Sequence, residues 1–307
     1  MIITTLTGGL GNQMFQYAIG KKLALKHKTI LKLKFTYFPG DTFREYALGC
    51  FNIEENFASE EEIKIEEVKR KNVIKKIIHK ISPYFRSRLK TIIKNLIYKI
   101  TPLKNSLYIR EKHFHFNPRV LEAPDNVLLY GCWQSEKYFK DIEDIIRQEF
   151  TLKDSDQLPE NTQEFINLMK STESVSIHFR RRDYLKKRNL LYHGLCSLDY
   201  YYRAINYLTK LIKNPHFFIF SDDIGWVKNN FKISYPITFI FQENFKDYHE
   251  LILMSKCKHH IIANSSFSWW GAWLGNNPNK IVIAPQKWFN DPSINTNDLI
   301  PETWIRI

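Results

Sequence analysis

Short apolar runs and longer helical stripes alternate along the second half of the chain. Runs rich in β-branched and aromatic residues occur at 174–179, 216–220, 236–241, 259–263 and 280–285. Segments with an apolar residue at every third or fourth position lie between some of them, notably 197–213 and 248–257. Since strands that alternate with helices form parallel sheets, we predict a doubly wound α/β unit in this half.

The first half of the chain opens with the same order of elements. Its N-terminal stretch reads as a strand, a glycine turn and a helix, and a later short strand precedes a predicted helix over 135–150. The polar, proline-containing stretch 153–162 separates the two halves. We therefore predict two domains, 1–152 and 153–307.

The glycine turn at residues 7–15, "TGGLGNQMF", matches no standard nucleotide-binding loop. Gly9 and Gly11 supply the start of a dinucleotide fingerprint, but Met14 stands where the third glycine is needed. No Gly-Lys-Ser/Thr follows, which excludes a Walker loop. The turn therefore feeds a helix N-terminus, and the amide side chains of Asn12 and Gln13 are candidates to point into a cleft.

The composition is that of a packed protein in a reducing compartment. Of the 307 residues, 44% are hydrophobic and 15% aromatic, which excludes a disordered chain. No apolar run approaches the roughly 18 residues of a membrane span, and the N-terminus lacks a signal-peptide pattern. The four cysteines are scattered, with no C-x-x-C pair. We predict free thiols and a cytoplasmic protein.

The excess of positive over negative charge lies in one segment, residues 69–110. It holds 13 Lys and Arg and no Asp or Glu, which accounts for the whole net charge of +13. Isoleucines recur there at helical spacing, and Ser82-Pro83 indicates two helices that meet. Two interpretations stay open: residues 69–104 bind an anionic membrane surface, or the apolar stripe packs on the protein's own core. No nucleic-acid motif accompanies the charge, so nucleic acid is not a predicted partner.

Three predicted strands end in polar constellations, and in an open parallel sheet ligands bind at those carboxyl ends. The constellations are His178, Arg180, Arg181 and Asp183; Ser221, Asp222 and Asp223; and Asn264, Ser265, Ser266 and Ser268. Guanidinium groups match phosphate oxygens, and a helix start offers N–H donors to an anion. A carboxylate such as Asp222 suits the paired N–H donors of guanine. Together the three constellations predict a nucleotide diphosphate as the ligand.

Metal ligation is not predicted. The one D-x-D pair, Asp154-Ser155-Asp156, lies in the polar linker and not at a strand end. Cys257, His259 and His260 fit no zinc spacing and lead into an apolar run. Without a cation, Arg180 and Arg181 are the groups expected to offset the charge of a departing diphosphate.

At these residues the chain resembles the bacterial α-1,2-fucosyltransferases of glycosyltransferase family 11. The matching motifs, in family order, are "GGLGNQMFQYA" (8–18), "GCWQSEKYF" (131–139), "HFRRRDYL" (178–185), "FSDD" (220–223) and "NSSFSWWGAWL" (264–274). The resemblance implies a GT-B-type fold of two facing Rossmann-like domains and GDP-β-L-fucose as donor, with no required metal. It also implies inversion to an α-1,2 linkage on a terminal galactose. Such enzymes build O-antigen or surface polysaccharide on lipid-linked acceptors, which suits a peripheral membrane location.

The resemblance also implies roles for individual residues. Arg180 and Arg181 would hold the diphosphate, with His178 beside them, and Asp222 would take guanine. The remaining donor-site positions are Ser221, Asn264, Ser265, Ser266, Phe267 and Ser268. Gly11, Asn12 and Gln13 would face the fucose and the acceptor, with Asn12 counted among the catalytic residues.

Several assignments stay open at this stage. Asp183 is either the base that accepts the galactose proton or a carboxylate that orients the arginines, which would lower its pKa. Arg182 stands where the family usually has glycine. We predict that it is a solvated turn residue. The tryptophans either stack on sugar or belong to the core: Trp133, Trp269, Trp270 and Trp273. The rivals to the fucosyltransferase interpretation are a transferase of another GDP-sugar or linkage, and a non-enzymatic basic protein that binds membrane or nucleic acid.

Overall fold

The structure is a computed structural model that describes residues 1–35, 45–63 and 107–307. The predicted helices of the basic segment, including the Ser82-Pro83 junction, lie outside the described residues. The chain divides into two compact units. The first unit comprises Met1–Gly8, Gln13–Gly49 and Ile53–Ile146; the second comprises Gly9–Asn12, Cys50–Asn52 and Arg147–Ile307. The second unit's long continuous part thus begins shortly before the predicted boundary at 152/153.

The first unit is built on a parallel sheet with the strand order β2-β1-β4-β3. Its strands are β1 (Ile2–Leu6), β2 (Leu31–Phe35), β3 (Tyr108–Arg110) and β4 (Val127–Tyr130). The predicted N-terminal helix is α1 (Leu10–His27). Every residue of β1 is buried, as expected for a central strand that is covered on both faces.

The helix predicted over 135–150 is wrong in its first half. Two short 3₁₀ turns, Glu136–Tyr138 and Lys140–Ile142, precede the helix α2 (Glu143–Glu149). Phe139 separates the turns with φ −140° and ψ 12°, outside the helical region. Its buried ring packs on Phe15 at 6.2 Å between centroids, so burial of one aromatic side chain interrupts the helix.

The second unit contains a six-stranded parallel sheet with the order β10-β9-β8-β5-β6-β7. Its strands are β5 (Glu173–Phe179), β6 (Pro215–Ser221), β7 (Ile237–Phe239), β8 (His259–Ile261), β9 (Val282–Ala284) and β10 (Ile305–Arg306). The helices are α3 (Gln163–Ser171), α4 (Lys187–His193), α5 (Leu198–Leu208), α6 (Ile224–Asn230), α7 (Asp247–Ser255) and α8 (Ser266–Leu274). The prediction of an α/β protein with two Rossmann-like parallel-sheet units is confirmed. The short helices α3, α4 and α6 and the strand β10 were not predicted.

Apolar side chains cover both faces of the second sheet. Along β6, Phe217 and Ile219 belong to one core cluster, and Phe218 and Phe220 belong to another. Helix α8 is buried nearly all round, which is typical of a helix inside a core. Its tryptophans, Trp269, Trp270 and Trp273, are buried, and so is Trp133 of the first unit, which supports the core interpretation over sugar stacking.

No helix within the described residues is long and apolar enough to cross a membrane. The four cysteines, Cys50, Cys132, Cys196 and Cys257, are free thiols. Burial raises the pKa of the Cys50 and Cys132 thiols to about 12, so neither is a reactive thiolate near neutral pH.

Candidate functional site

The order of the strands in the second sheet predicts where a ligand binds. From β5 the chain proceeds outward through β6 and β7, and then returns to the other side of β5 with β8. Successive strands are therefore added on one side of β5 and then on the other, so the strand order reverses between β5 and β8. In open α/β sheets, ligands bind outside the carboxyl ends of the strands at such a reversal. The segments that follow there are residues 180–183 and 264–268. We call these residues, with Asp222 and Asp223 after β6, the switch site.

Arg180 lies at the centre of the switch site between two carboxylates. Its Nη2 donates to Oδ2 of Asp183 at 2.7 Å, and its Nε lies 3.4 Å from Oδ2 of Asp222. The ring of Tyr184 lies 5.8 Å from the guanidinium carbon. Among the described residues, one N–H of the guanidinium group donates a hydrogen bond and Nε lies at ion-pair distance, and these contacts orient the plane of the group. The geometry suits a fork that is oriented in advance for an anion.

Asp222 holds the turn that follows β5. Its Oδ1 accepts from the backbone N–H of Arg181 at 2.8 Å, and its Oδ2 accepts from that of Arg182 at 3.2 Å. Burial raises the pKa of Asp222, and the positive charge of Arg180 acts in the opposite direction. Both carboxylate oxygens are therefore committed to the turn, and the guanine contact assigned to Asp222 stays a prediction.

Arg181 is held by an aromatic face and a carboxylate. Its guanidinium carbon lies 3.3 Å from the centroid of the Trp226 ring, a cation–π contact. Its Nε lies 3.5 Å from Oδ2 of Asp223. The side chain of Arg182, by contrast, is exposed. The three arginines thus differ in their surroundings: two are fixed in the switch site and the third is a solvated turn residue.

His178 is a buried, neutral imidazole beneath Arg180. Burial, followed by the positive charge of Arg180, lowers the pKa of His178 to about 3. Its ring packs on Phe267 at 5.5 Å between centroids, and its backbone carbonyl accepts from the Tyr201 hydroxyl at 2.9 Å. The Nδ1 atom is buried and has no hydrogen-bond partner among the described residues. A buried ring nitrogen without a partner is unusual in a folded protein, and this one lies at the end of β5, next to the arginines. That His178 supports the arginines at a diphosphate stays a prediction.

The start of α8 packs directly on the glycine turn, within the second unit. The Ser266 hydroxyl donates to Oδ1 of Asn12 at 2.7 Å, and Nε1 of Trp270 donates to the Gly11 carbonyl at 3.0 Å. A side chain on Gly11 would meet backbone atoms of Ser266 and Phe267 at 2.5–2.7 Å. Gly11 is thus needed for the close approach of two backbones, and Asn12 pairs with a predicted donor-site serine.

Four other predicted donor-site residues use their polar atoms inside the protein. The amide of Asn264 donates to the carbonyls of His193 and Trp288 at 2.9 and 3.1 Å. The Ser268 hydroxyl is bonded to carbonyls of its own turn, and the Ser221 hydroxyl accepts from the Asp223 N–H. In the first unit, Gln13 is buried and bridges the backbone of Gly8, Glu45 and Ala47. The contacts of Asn264, Ser268 and Ser221 hold loops of the switch site in the second unit. Ser265, at the N-cap of α8, makes no capping side-chain bond.

His193 is a residue of this site that the sequence interpretation missed. Its ring stacks on Tyr184 with centroids 4.7 Å apart and an interplanar angle of 12°. Burial lowers the pKa of His193, while the charges of Asp183 and Arg180 act on it in opposite directions. The result is a second neutral imidazole next to the arginines. The sequence signal was a histidine followed by Gly194, whose φ of +71° ends α4 and sets the direction of the chain.

Glu250 is the second missed residue. It lies in the first turn of α7, after β7, and its carboxyl group experiences the charges of the switch site. Burial, then the negative charges of Asp247 and Asp222, raise the pKa of Glu250 to about 7, against the opposing charge of Arg180. In the sequence, the one sign that Glu250 lies near the site is its position after a strand, at the start of a helix.

Replacing Glu250 by glutamine should stabilise the protein at high pH. Because the folded pKa lies above the unfolded value of about 4.3, the native state loses stability as pH rises from about 4.3 to 7 and stays lower above that. We expect Glu250→Gln to raise the Tm by about 3–6 °C at pH 8 and by almost nothing at pH 4.5. Thermal unfolding at both pH values measures this, with exposed Glu243→Gln as the matched control. An equal gain at both pH values would contradict the assignment.

The motif at 131–139 folds around a buried glutamate of the first unit. Both oxygens of Glu111 accept backbone N–H groups, from Cys132 at 2.6 Å and Trp133 at 3.0 Å. Burial raises the pKa of Glu111 to about 7 despite these bonds. Trp133 takes a φ of +57°, rare for a residue with a bulky side chain. Such backbone strain concentrates at functional positions. Here the two hydrogen bonds to Glu111 hold the backbone of Trp133 in its strained conformation.

The D-x-D pair lies in a 3₁₀ turn, Asp154–Asp156, away from the switch site in sequence. Asp156 is bonded to Ser155 at 2.8 Å and to the Tyr248 hydroxyl at 3.0 Å. Among the described residues, no group of three or more His, Cys, Asp or Glu has the arrangement of a metal site. The histidines of β8 serve packing, and His260 bonds the Ser176 hydroxyl at 2.8 Å.

The fold is that of a parallel α/β protein, and its candidate site is a cluster of arginines and carboxylates at the switch point of the second sheet. The chain belongs to glycosyl transferase family 11, whose family model matches residues 1–307. It is 35% identical over 313 residues to an alpha-1,2-colitosyltransferase of Escherichia coli, covering 100% of this chain and 99% of the relative. It is 32% identical to the O-antigen biosynthesis glycosyltransferase WbnK of Escherichia coli, covering 98% and 99%.

Two more remote similarities are to proteins named as fucosyltransferases. A galactoside 2-alpha-L-fucosyltransferase of Bos taurus, SEC1, is 27% identical over 176 residues, covering 53% of this chain and 47% of the relative. Among solved structures, the NodZ alpha-1,6-fucosyltransferase soaked with GDP-fucose matches with a TM-score of 0.47 and 12% identity, covering 89% of this chain and 91% of that one.

Proposed function

We propose that this family 11 glycosyltransferase transfers L-fucose from GDP-β-L-fucose to O2 of a terminal β-galactose, with inversion to an α-1,2 linkage. The observation that carries the proposal is Arg180, oriented by Asp183 and Asp222 at the switch point of the sheet. A sugar nucleotide that lies there presents its diphosphate to an oriented guanidinium fork. As the sugar–phosphate bond breaks, negative charge grows on the diphosphate, and Arg180 and Arg181 stabilise it.

The proton of the galactose hydroxyl has two candidate acceptors near Arg180. Asp183 is one, and its Oδ2 already accepts a hydrogen bond from Arg180 at 2.7 Å, which favours its orienting role. His193 is the other, because its imidazole stacks on Tyr184 beside Arg180 and is neutral at pH 7, although its lowered pKa makes it a weak base. A loose displacement, driven by departure of the diphosphate, needs little help from either. We assign the orienting role to Asp183.

The acceptor that we propose is a galactose-terminated glycan of an O-antigen or another surface polysaccharide. The full-length relative WbnK is named for O-antigen biosynthesis, and two other relatives are named for 1,2-linked transfer. The test is a GDP-release assay with GDP-fucose and a panel of β-galactosides, lactose included, followed by determination of the product linkage. Absence of GDP release above the no-acceptor rate with every galactoside would overturn the proposal.

GDP-colitose is a second candidate donor, because the relative that is 35% identical over its full length is named an alpha-1,2-colitosyltransferase. Colitose is fucose without its 3-hydroxyl group. A site that hydrogen-bonds this hydroxyl discriminates against the deoxy sugar by roughly 10⁴–10⁵-fold, whereas an apolar subsite rejects the extra hydroxyl by only about 10²-fold. The ratio of kcat/KM for GDP-fucose to that for GDP-colitose, measured on one acceptor, therefore decides between the two donors. We expect the ratio to favour fucose.

Removal of divalent cations should leave transfer intact. The proposal assigns charge neutralisation at the diphosphate to Arg180 and Arg181, and Asp156 of the D-x-D pair accepts hydrogen bonds from Ser155 and Tyr248. Initial rates with millimolar EDTA should stay within about twofold of rates with Mg²⁺, since no donor contact is routed through a cation. Loss of activity in EDTA that Mg²⁺ or Mn²⁺ restores would show that a cation takes part.

A further inference from the structure

Exposed apolar side chains cluster in the segment that follows the arginines. Leu185, Leu190, Leu191 and Tyr192 are 47%, 39%, 69% and 42% exposed. Single exposed apolar residues are ordinary on a protein surface, but several within eight consecutive residues mark an interaction surface. Leu191 is the most exposed of the four, and Tyr192 also packs on Phe289 with ring centroids 5.1 Å apart.

Basic side chains are interleaved with this apolar cluster. Arg182, Lys186, Lys187 and Arg188 are all exposed, and no Asp or Glu occurs from 184 to 198. The segment therefore presents apolar and positively charged groups together. That combination is complementary to an anionic lipid surface, where apolar groups enter the headgroup region and basic groups lie among the phosphates.

The same segment is fixed to the switch site. The Asn189 side chain donates to the Asp183 carbonyl at 2.8 Å, so the inward side of α4 is tied to the turn that follows β5. On the other side, the backbone and side chain of Asn290 donate to the carbonyls of Tyr192 and Leu190 at 2.9 and 2.8 Å. The apolar groups are therefore presented by a backbone that is bonded at both ends, next to Asp183.

We propose that residues 182–192 form a membrane-docking surface that binds an anionic lipid bilayer. The four apolar side chains enter the headgroup region, and Arg182, Lys186, Lys187 and Arg188 contact lipid phosphates. This surface is distinct from the basic segment 69–104. Docking of this surface would hold the switch site close to the membrane, where a lipid-linked acceptor lies. This advantage for catalysis rests on the proposed function. Lipid binding itself does not depend on which sugar is transferred.

The first test reports insertion at single positions in the full chain. Leu191→Cys and the control Leu211→Cys, which lies outside the segment and is 54% exposed in the native chain, are labelled with an environment-sensitive dye. The unmutated chain, labelled in parallel, gives the background of the native thiols. With vesicles of phosphatidylglycerol and phosphatidylcholine, we expect a blue shift at position 191 and none at 211. No shift at 191, or equal shifts at both positions, would overturn the proposal.

The second test separates docking from catalysis. Leu185→Ser combined with Leu191→Ser should lower partitioning onto the same vesicles by on the order of tenfold, because two apolar side chains no longer enter the lipid. Leu211→Ser should partition like the wild type. GDP release with a soluble galactoside should stay within about twofold in both variants. If the double variant partitions like the wild type, the docking surface is refuted; if the wild type binds vesicles but transfers no sugar, the proposed function fails alone.

Discussion

Replacing Arg180 by alanine should lower kcat/KM for GDP-fucose by about 10²–10⁴-fold. The guanidinium group is the oriented cation of the switch site. Removing one hydrogen-bond donor that stabilises a developing negative charge typically lowers the rate by factors of about this size. The variant also leaves Asp183 and Asp222 without their cation, so two carboxylates then face the diphosphate. Steady-state GDP release and calorimetric GDP binding measure the two consequences separately.

The control for Arg180 is its neighbour in the same triplet. Arg182→Ala removes an equal charge, but that side chain is exposed, and the Asp222 contact uses its backbone N–H, which the substitution keeps. We expect its activity to stay within about threefold of the wild type. Arg180→Lys should fall between the two, because it keeps the charge and loses the planar fork. Thermal unfolding checks that each variant is folded.

The Arg180 series also distinguishes an enzyme from a basic binding protein with a similar fold. In the binding-protein hypothesis, Arg180→Ala leaves function intact, and neutralising the lysines of residues 69–104 abolishes it. Our proposal expects the reverse: Arg180→Ala loses turnover, and the lysine variant keeps turnover of a soluble acceptor. Full turnover by Arg180→Ala would refute the mechanism proposed for the switch site.

The strands of the second unit were predictable because of how a parallel sheet is covered. Apolar residues on both faces of β5 and β6 give continuous apolar runs, and the polar residues that follow each run mark its carboxyl end. The place of Arg180 followed from that rule alone. The predicted helix before Phe150 failed because the burial of Phe139 depends on Phe15, which is remote in sequence.

The partners within the switch site were not predictable from one sequence. The register pairs Phe179 with Ser221, so the residue after Ser221 comes to lie beside the turn after β5. Only this register shows that Asp222 binds two backbone N–H groups, since the sequence presents it as a free carboxylate at a strand end. The segment of α4 was missed for another reason: its seven residues, KRNLLYH, place the leucines next to each other and form no apolar stripe at helical spacing.

Gly11→Ala should destabilise the second unit, against the expectation from helix propensity. Gly11 lies inside α1, where alanine is ordinarily about 1 kcal/mol better than glycine. Here the new Cβ would lie 2.5 Å from the carbonyl carbon of Ser266 and 2.6 Å from the backbone nitrogen of Phe267. Both are backbone atoms and have no rotamer to change, so the first turn of α8 must move. We expect a loss of about 2–4 kcal/mol and a fall in Tm of about 5–12 °C.

Gly225→Ala is the matched control, because Gly225 also lies in a helix, α6, and among the described residues no atom outside its own stretch of helix lies within 4 Å of a Cβ at this position. It should leave the Tm unchanged or raise it slightly, as the propensity rule predicts when space is open. The displaced turn in Gly11→Ala carries Ser265, Ser266 and Phe267, so its affinity for GDP should fall as well, while that of Gly225→Ala should not. Equal Tm values for the two variants would show that the backbones can separate at no cost. Glycine at position 11 would then serve the ligand or the acceptor directly and not the packing of α8.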